Sequence, residues 1–290
     1  MTMTPGDWKQ LRDASAEKQS ALLAEFDSAG LFPAPEEETG AFSDRLHRLN
    51  IELESLSRGD SDVQDLLSSS PEIPASLRAA AEELTWKIYR FRADWVPGAF
   101  SSRETGFFSA GVLLEVDHLL PLIFLHGAFV RRNRRGGYDA VETLAHEMVH
   151  AVRIAFPASA YEELFPCQVH ASRFRRMAGN LFRHWSVPLF FFGGIAASAV
   201  LAAMSCNGWF LPLALPLLTA VREGELRRRF QKASSNLRLA GVEALPVLLR
   251  LSDREIREIA ALSPGTIAEK GNSSPRWRML LDRFRIPEAE

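Results

Sequence analysis

Thr143-Leu144-Ala145-His146-Glu147-Met148-Val149-His150-Ala151-Val152-Arg153 is the stretch from which the rest of this chain is read. Val141, Leu144, Ala145, Met148, Val149, Val152 and Ile154 make a helix that is apolar over most of its circumference, the pattern of a buried element. Gly136 and Gly137 break the chain before it, and Asp139 with Glu142 three residues on fits a capping box that starts it. Residues four apart stack one turn above the other, which puts His146 and His150 on one face, about 6 Å apart. Two imidazoles so placed can share one zinc ion, and inside an apolar helix they need a partner, because unpaired polar groups are costly to bury. Glu147 falls on the adjacent face, where a carboxylate can act as general base toward a water at the metal.

A hydrolytic zinc site takes a third protein ligand and leaves one position open. Pro157 stops the first helix, and Ser159-Ala160-Tyr161-Glu162-Glu163-Leu164-Phe165 follows. Ser159 and Glu162 fit a second capping box, which gives Glu162 a structural task and leaves Glu163 as the expected ligand, with Glu162 as the alternative. Glu142 and Arg153, one turn outside the two histidines, can orient ligands, an ordinary surface or capping role being the favoured reading of each. Tyr138, Tyr161 and His170 are the candidate donors for an oxyanion, a purely structural role being the favoured reading of each.

His146-Glu147-x-x-His150 with a glutamate on a downstream second helix resembles the gluzincin group of zinc metallopeptidases, over roughly residues 136–182. The resemblance implies zinc held by His146, His150 and Glu163, Glu147 as the base that activates water, and a protein or peptide substrate. The gap between His150 and the glutamate pair is shorter than in many gluzincins, and no third histidine follows at metzincin spacing.

Among the 290 residues, 34 basic side chains stand against 36 acidic ones, so no global charge argues for a nucleic-acid partner. Two cysteines, Cys167 and Cys206, give neither a disulfide framework nor a cysteine-based metal spacing, and Cys167 reads as a small buried thiol. The N-terminus has no charged-then-apolar signal. Residues 1–95 read as helical, with breaks at Gly30 and at Ser68-Ser69-Ser70-Pro71. Residues 96–186 form the expected metallopeptidase core, where Gly111-Val112-Leu113-Leu114-Glu115-Val116 and Leu120-Pro121-Leu122-Ile123-Phe124-Leu125 are short apolar runs of strand type, separated by the turn residues Asp117-His118. An edge strand there can hold an extended substrate by backbone hydrogen bonds. A basic helix is expected over residues 171–185, carrying Arg173, Arg175, Arg176, Arg183 and His184.

No residue from 187 to 221 carries a charge, and Ser205-Cys206-Asn207-Gly208 divides that run in two. A transmembrane hairpin is the reading of this composition, each half being near the lower limit of about 17 residues for a span. Arginines crowd both flanks, so the positive-inside rule puts both termini and the metal site in the cytoplasm of a bacterial inner-membrane protein, with membrane lipid as a partner. Residues 222–290 return to helical patterning, with Ser252-Asp253-Arg254-Glu255 as a capping box. The expected fold is α+β and mostly α: a zincin-like core with a small antiparallel sheet, plus the two-helix membrane hairpin. The expected function is that of a membrane-anchored zinc peptidase; the alternative is a non-catalytic membrane-anchored interaction protein with a structural or vestigial zinc site.

Overall fold

The motif helix occupies Ala140–Val152 and is buried along nearly its whole length. A computed structural model of the chain describes residues 8–12, 14–59, 62–107, 109–157, 159–178 and 186–287. Among the described residues, four α-helices precede the sheet: α1 (Ala16–Ser28), α2 (Thr39–Arg58), α3 (Asp62–Ser68) and α4 (Ala75–Tyr89). Phe42, Leu46, Leu49, Leu53 and Leu56 give α2 one buried stripe, and Gly59, at φ 81°, ends it in the left-handed conformation.

Strands β1 (Gly98–Phe100), β2 (Gly111–Val116) and β3 (Leu120–Leu125) make a three-stranded sheet in the order β1-β3-β2, with the short α5 (Ser102–Thr105) between β1 and β2. Its pairing is mixed. β2 runs antiparallel to β3, whereas β1 lies parallel to it, Gly98 opposite Ile123 and Phe100 opposite Leu125. This corrects the expected all-antiparallel sheet; a three-residue strand that joins through distant chain leaves no periodicity to read. Asp117 and His118, at φ 50° and 54°, are the central residues of the turn that Leu119 N–H closes onto the Val116 carbonyl, in a three-residue connection between β2 and β3. A minor ribbon, β4 (Arg134–Arg135) with β5 (Tyr138–Asp139), leads into the motif helix, α6. That helix packs against α4 and against β2 and β3.

After α6 come the 3-10 turn Pro166–Val169 and α7 (Arg173–Ala178). The basic helix expected over 171–185 is described only that far, and Arg183 and His184 lie outside the described residues. The uncharged run forms α8 (Ser186–Ala203), a 3-10 turn at Leu211–Leu213 and the start of α9 (Ala214–Leu239). Gly194 lets the two limbs close, since a Cβ there would stand 2.6 Å from the Pro212 carbonyl oxygen.

The membrane hairpin is overturned. Among the described residues no helix is long and apolar enough to cross a membrane. With 18 residues at about 1.5 Å each, α8 is roughly 27 Å long, short of the ~30 Å hydrocarbon core. The second limb is shorter still as an apolar helix, because α9 becomes charged at Arg222 and continues into the protein core with Phe230, Ala233 and Leu237 buried. The inner-membrane location and the cytoplasmic placement of the site rested on that hairpin and are withdrawn with it. On its outer surface the hairpin leaves Phe192, Val200, Leu217 and Leu218 exposed.

The C-terminal helices are α10 (Ala244–Leu249), α11 (Asp253–Ala261), α12 (Pro264–Glu269) and α13 (Pro275–Arg283). The capping box at Ser252 and Glu255 is formed in both directions and starts α11. α10, α11 and α12 pack on α9, and α13 packs on α1, so the two ends of the chain meet in one core.

Candidate metal centre

Asp139 caps α6 alone, its carboxylate accepting the Val141 and Glu142 N–H groups. Glu142 does not complete the expected box. Its carboxylate instead accepts the Ala171 N–H at 3.0 Å and lies 3.0 Å from His170 Nδ1.

One turn apart on α6, His146 and His150 bring their Nε2 atoms to 3.3 Å. The Glu163 carboxylate approaches from the chain beyond, 3.5 Å from each Nε2. Neighbouring donors around a tetrahedral zinc with bonds of ~2.0–2.1 Å stand roughly 3.3–3.4 Å apart, so two imidazoles and one carboxylate are already spaced for such an ion. The donor chemistry fits as well, since nitrogen and carboxylate oxygen are ordinary zinc ligands. The His146 and Glu163 side chains remain 17% and 20% exposed, which leaves a way in for a further ligand.

Glu162 and Glu163 address His150 from opposite edges. Glu162 Oε1 is 3.3 Å from Nδ1, while Glu163 faces Nε2. Residues 160–164 are hydrogen-bonded turns rather than a second helix, so consecutive side chains diverge. The predicted Ser159–Glu162 capping box is therefore absent: Ser159 Oγ accepts the Tyr161 N–H, and Glu162 belongs to His150 and Arg153. Burial opposes charge on His150, but hydrogen bonds to Glu162 and Glu163 outweigh it and raise its pKa to about 10. Glu163 is held below the usual carboxylate range, because the bonds to His146 and His150 overcome the effect of burial.

Arg153 backs this arrangement. It is 2% exposed, its Nε lies 3.3 Å from Glu162 Oε2, and its guanidinium sits between the rings of Phe156 and Phe165. Its Nη1 donates to the carbonyls of Leu249 and Leu251. Asp253 fixes the same turn, accepting the Ser159 hydroxyl and, at 2.7 Å, the Ala160 N–H. The C-terminal helices thus hold the segment that carries both glutamates, a role that nothing local to Asp253 announces.

Glu147 is 7% exposed, and burial pushes its carboxyl pKa up, with His146 and His150 pulling it back. Gly111, the first residue of β2, lies directly against it: a Cβ there would stand 2.8 Å from Glu147 Oε1. Two hydrogen bonds fix the phase of the sheet, His126 N–H to Ala110 C=O and Ile123 N–H to Pro97 C=O. By the alternation of antiparallel pairs, Gly111, Leu113 and Glu115 direct their peptide groups to the outer edge. Among the described residues no strand pairs with that edge. Ser109 Oγ donates to the Gly111 carbonyl, and among the described residues the outward peptide groups of Leu113 and Glu115 have no partner.

Of the expected oxyanion donors, Tyr161 is buried with its ring against Phe230, and Tyr138 lies under the Arg175 guanidinium. His170 is buried, its ring centroid 5.4 Å from that of His146. Burial lowers the His170 pKa against the pull of Glu142. Cys167, also buried, has its thiol pushed up to about 12 by burial, with Glu163 adding to the shift. The spacing Cys167-x-x-His170 is the sequence signal that could have drawn attention to this pair.

No protein-family model matches the chain, and neither the curated proteins nor the solved structures yielded a match.

Proposed function

We propose that this protein is a zinc-dependent peptidase of gluzincin type. The observation that carries the reading is the convergence of His146, His150 and Glu163 at donor separations of 3.3 and 3.5 Å, with Glu147 beside them. When bound, zinc supplies Lewis acidity, polarising a carbonyl and acidifying water. Glu147 accepts a proton from the attacking water at its carboxylate and delivers it to the leaving amine nitrogen. Glu162 keeps His150 in the tautomer that presents Nε2, and Arg153 keeps Glu162 in place. An extended peptide pairing with Leu113 and Glu115 on the free edge of β2 would lie along a strand whose first residue abuts the base.

Zinc affinity of the two glutamine variants, read by competition with a chromophoric chelator, tests the ligand set. Glu162→Gln is expected to weaken zinc by about 10–100-fold, the usual effect of losing a partner of a ligand. Glu163→Gln should weaken it further, because it removes a donor. Equal affinity of Glu163→Gln and the unaltered chain would overturn the assignment.

Gly111→Ala should lower kcat by about 10–100-fold, since displacing a catalytic group by ~1 Å carries an effect of that order. The new methyl would also meet Thr143 Cγ2 at 2.9 Å. Kinetics together with zinc content check this: activity falls and zinc stays.

A further inference from the structure

We propose that His146, Cys167 and His170 form a second position for a thiophilic divalent cation, sharing His146 with the first. One ligand atom from each of the three lies within 4.8 Å of the others. A tetrahedral zinc with one sulfur ligand needs donor separations of roughly 3.4–3.6 Å, so these three donors must draw together to bind it and leave the fourth place to a further ligand.

His170 is prepared as a ligand in the same way as His150. Each has its Nδ1 against a carboxylate, at 3.0 Å from Glu142 in one case and 3.3 Å from Glu162 in the other. In a neutral ring that donates from Nδ1, the Nε2 lone pair is left for a metal, and metal-bound histidines ordinarily carry such a carboxylate. Cys167 and His170 come from a single 3-10 turn and its cap, so their spacing is set by three residues of backbone. His146 Nδ1 is buried and, among the described residues, makes no hydrogen bond. Sulfur and imidazole select Zn2+, Cd2+ or Co2+ over Mg2+ or Ca2+. Binding forms a metal–sulfur bond and releases the thiol proton to solvent, and with the first position also filled His146 bridges the two ions by releasing its Nδ1 proton. Cys167 is 3% and His170 5% exposed, so this position is more deeply buried than the first. It draws on an imidazole that hydrolysis requires, which suits a regulatory ion.

Cobalt(II) titration of the metal-free full chain, followed by absorption, separates the two positions without an activity assay. A thiolate-to-cobalt charge-transfer band is expected in the near ultraviolet. It should persist in Glu163→Gln, which removes a ligand of the first position and none of the second, and weaken in His170→Ala. It should vanish in Cys167→Ser and survive in Cys206→Ser. Because the chain has 2 cysteines, the Cys206→Ser protein alone assigns the band even if Cys167→Ser does not fold. Absence of the band in folded, cobalt-saturated protein overturns the proposal, as does its persistence in Cys167→Ser or its loss in Cys206→Ser. Loss of zinc from Glu163→Gln bears on the hydrolytic site alone, so failure of one reading is distinguishable from failure of the other.

Discussion

Glu147→Gln is expected to lower kcat for peptide hydrolysis by about 10²–10⁴-fold, the range for removing a positioned general base. That corresponds to roughly 3–5 kcal/mol of transition-state stabilisation. The amide has the shape of the carboxylate but no basic oxygen, so it fills the same space beside Gly111 without accepting a proton. None of the three converging donors belongs to Glu147, and zinc stoichiometry should therefore be unchanged. Steady-state kinetics and metal analysis on one preparation check both halves. A variant that hydrolyses at the original rate would mean another group moves the proton, and one that loses its zinc would mean Glu147 is a ligand.

Asp27→Ala should destabilise the chain by about 3–5 kcal/mol, the usual result of removing one partner of a buried ion pair. Asp27 is 0% exposed and Arg250 1%, so neither charge can turn to water. Arg250 meets the carboxylate with two nitrogens, one of them at 2.7 Å, and Arg283 adds a third contact at 3.2 Å. Arg250 also donates to the carbonyls of Tyr89 and Pro246 at 3.1 and 2.6 Å. One cluster therefore ties α1, α4, α10 and α13 together. It also bears on the site, because Leu249 and Leu251, which flank Arg250, accept from Arg153 behind Glu162. Urea unfolding of the full chain measures the loss; a change under about 1 kcal/mol would show that the arginines find other partners.

The parts of this protein that could be read from sequence are those in which local pattern and tertiary demand agree. The motif helix has both a cap residue and a continuous apolar surface, and the spacing of its histidines fixes their common face whatever surrounds them. Strands β2 and β3 were legible because Gly111 and the Asp117-His118 turn bound them on both sides. Glu163 facing the histidines was an expectation that rested on the wrong local argument. Glu162 is not occupied by a capping box but by His150 and Arg153, in a segment of hydrogen-bonded turns between Pro157 and Pro166.

Residues 187–221 misled for a different reason. Composition counts apolar residues, while a membrane span depends on where a helix starts and stops, and here Gly194 closes a tight hairpin and α9 turns charged after Val221. Asp27 and Arg250 are separated by 223 residues, and Asp253 reaches Ala160 across 93, so no window of sequence contains either pair.

Anomalous diffraction at the zinc edge, from crystals of the full chain grown with one equivalent of zinc, tests the central claim most directly. The account predicts a peak between the two α6 histidines, about 2.0–2.1 Å from His146 Nε2, His150 Nε2 and a Glu163 oxygen, with Glu162 outside the ion's shell. An ion that takes Glu162 in place of Glu163, or no ion between these histidines, would contradict it.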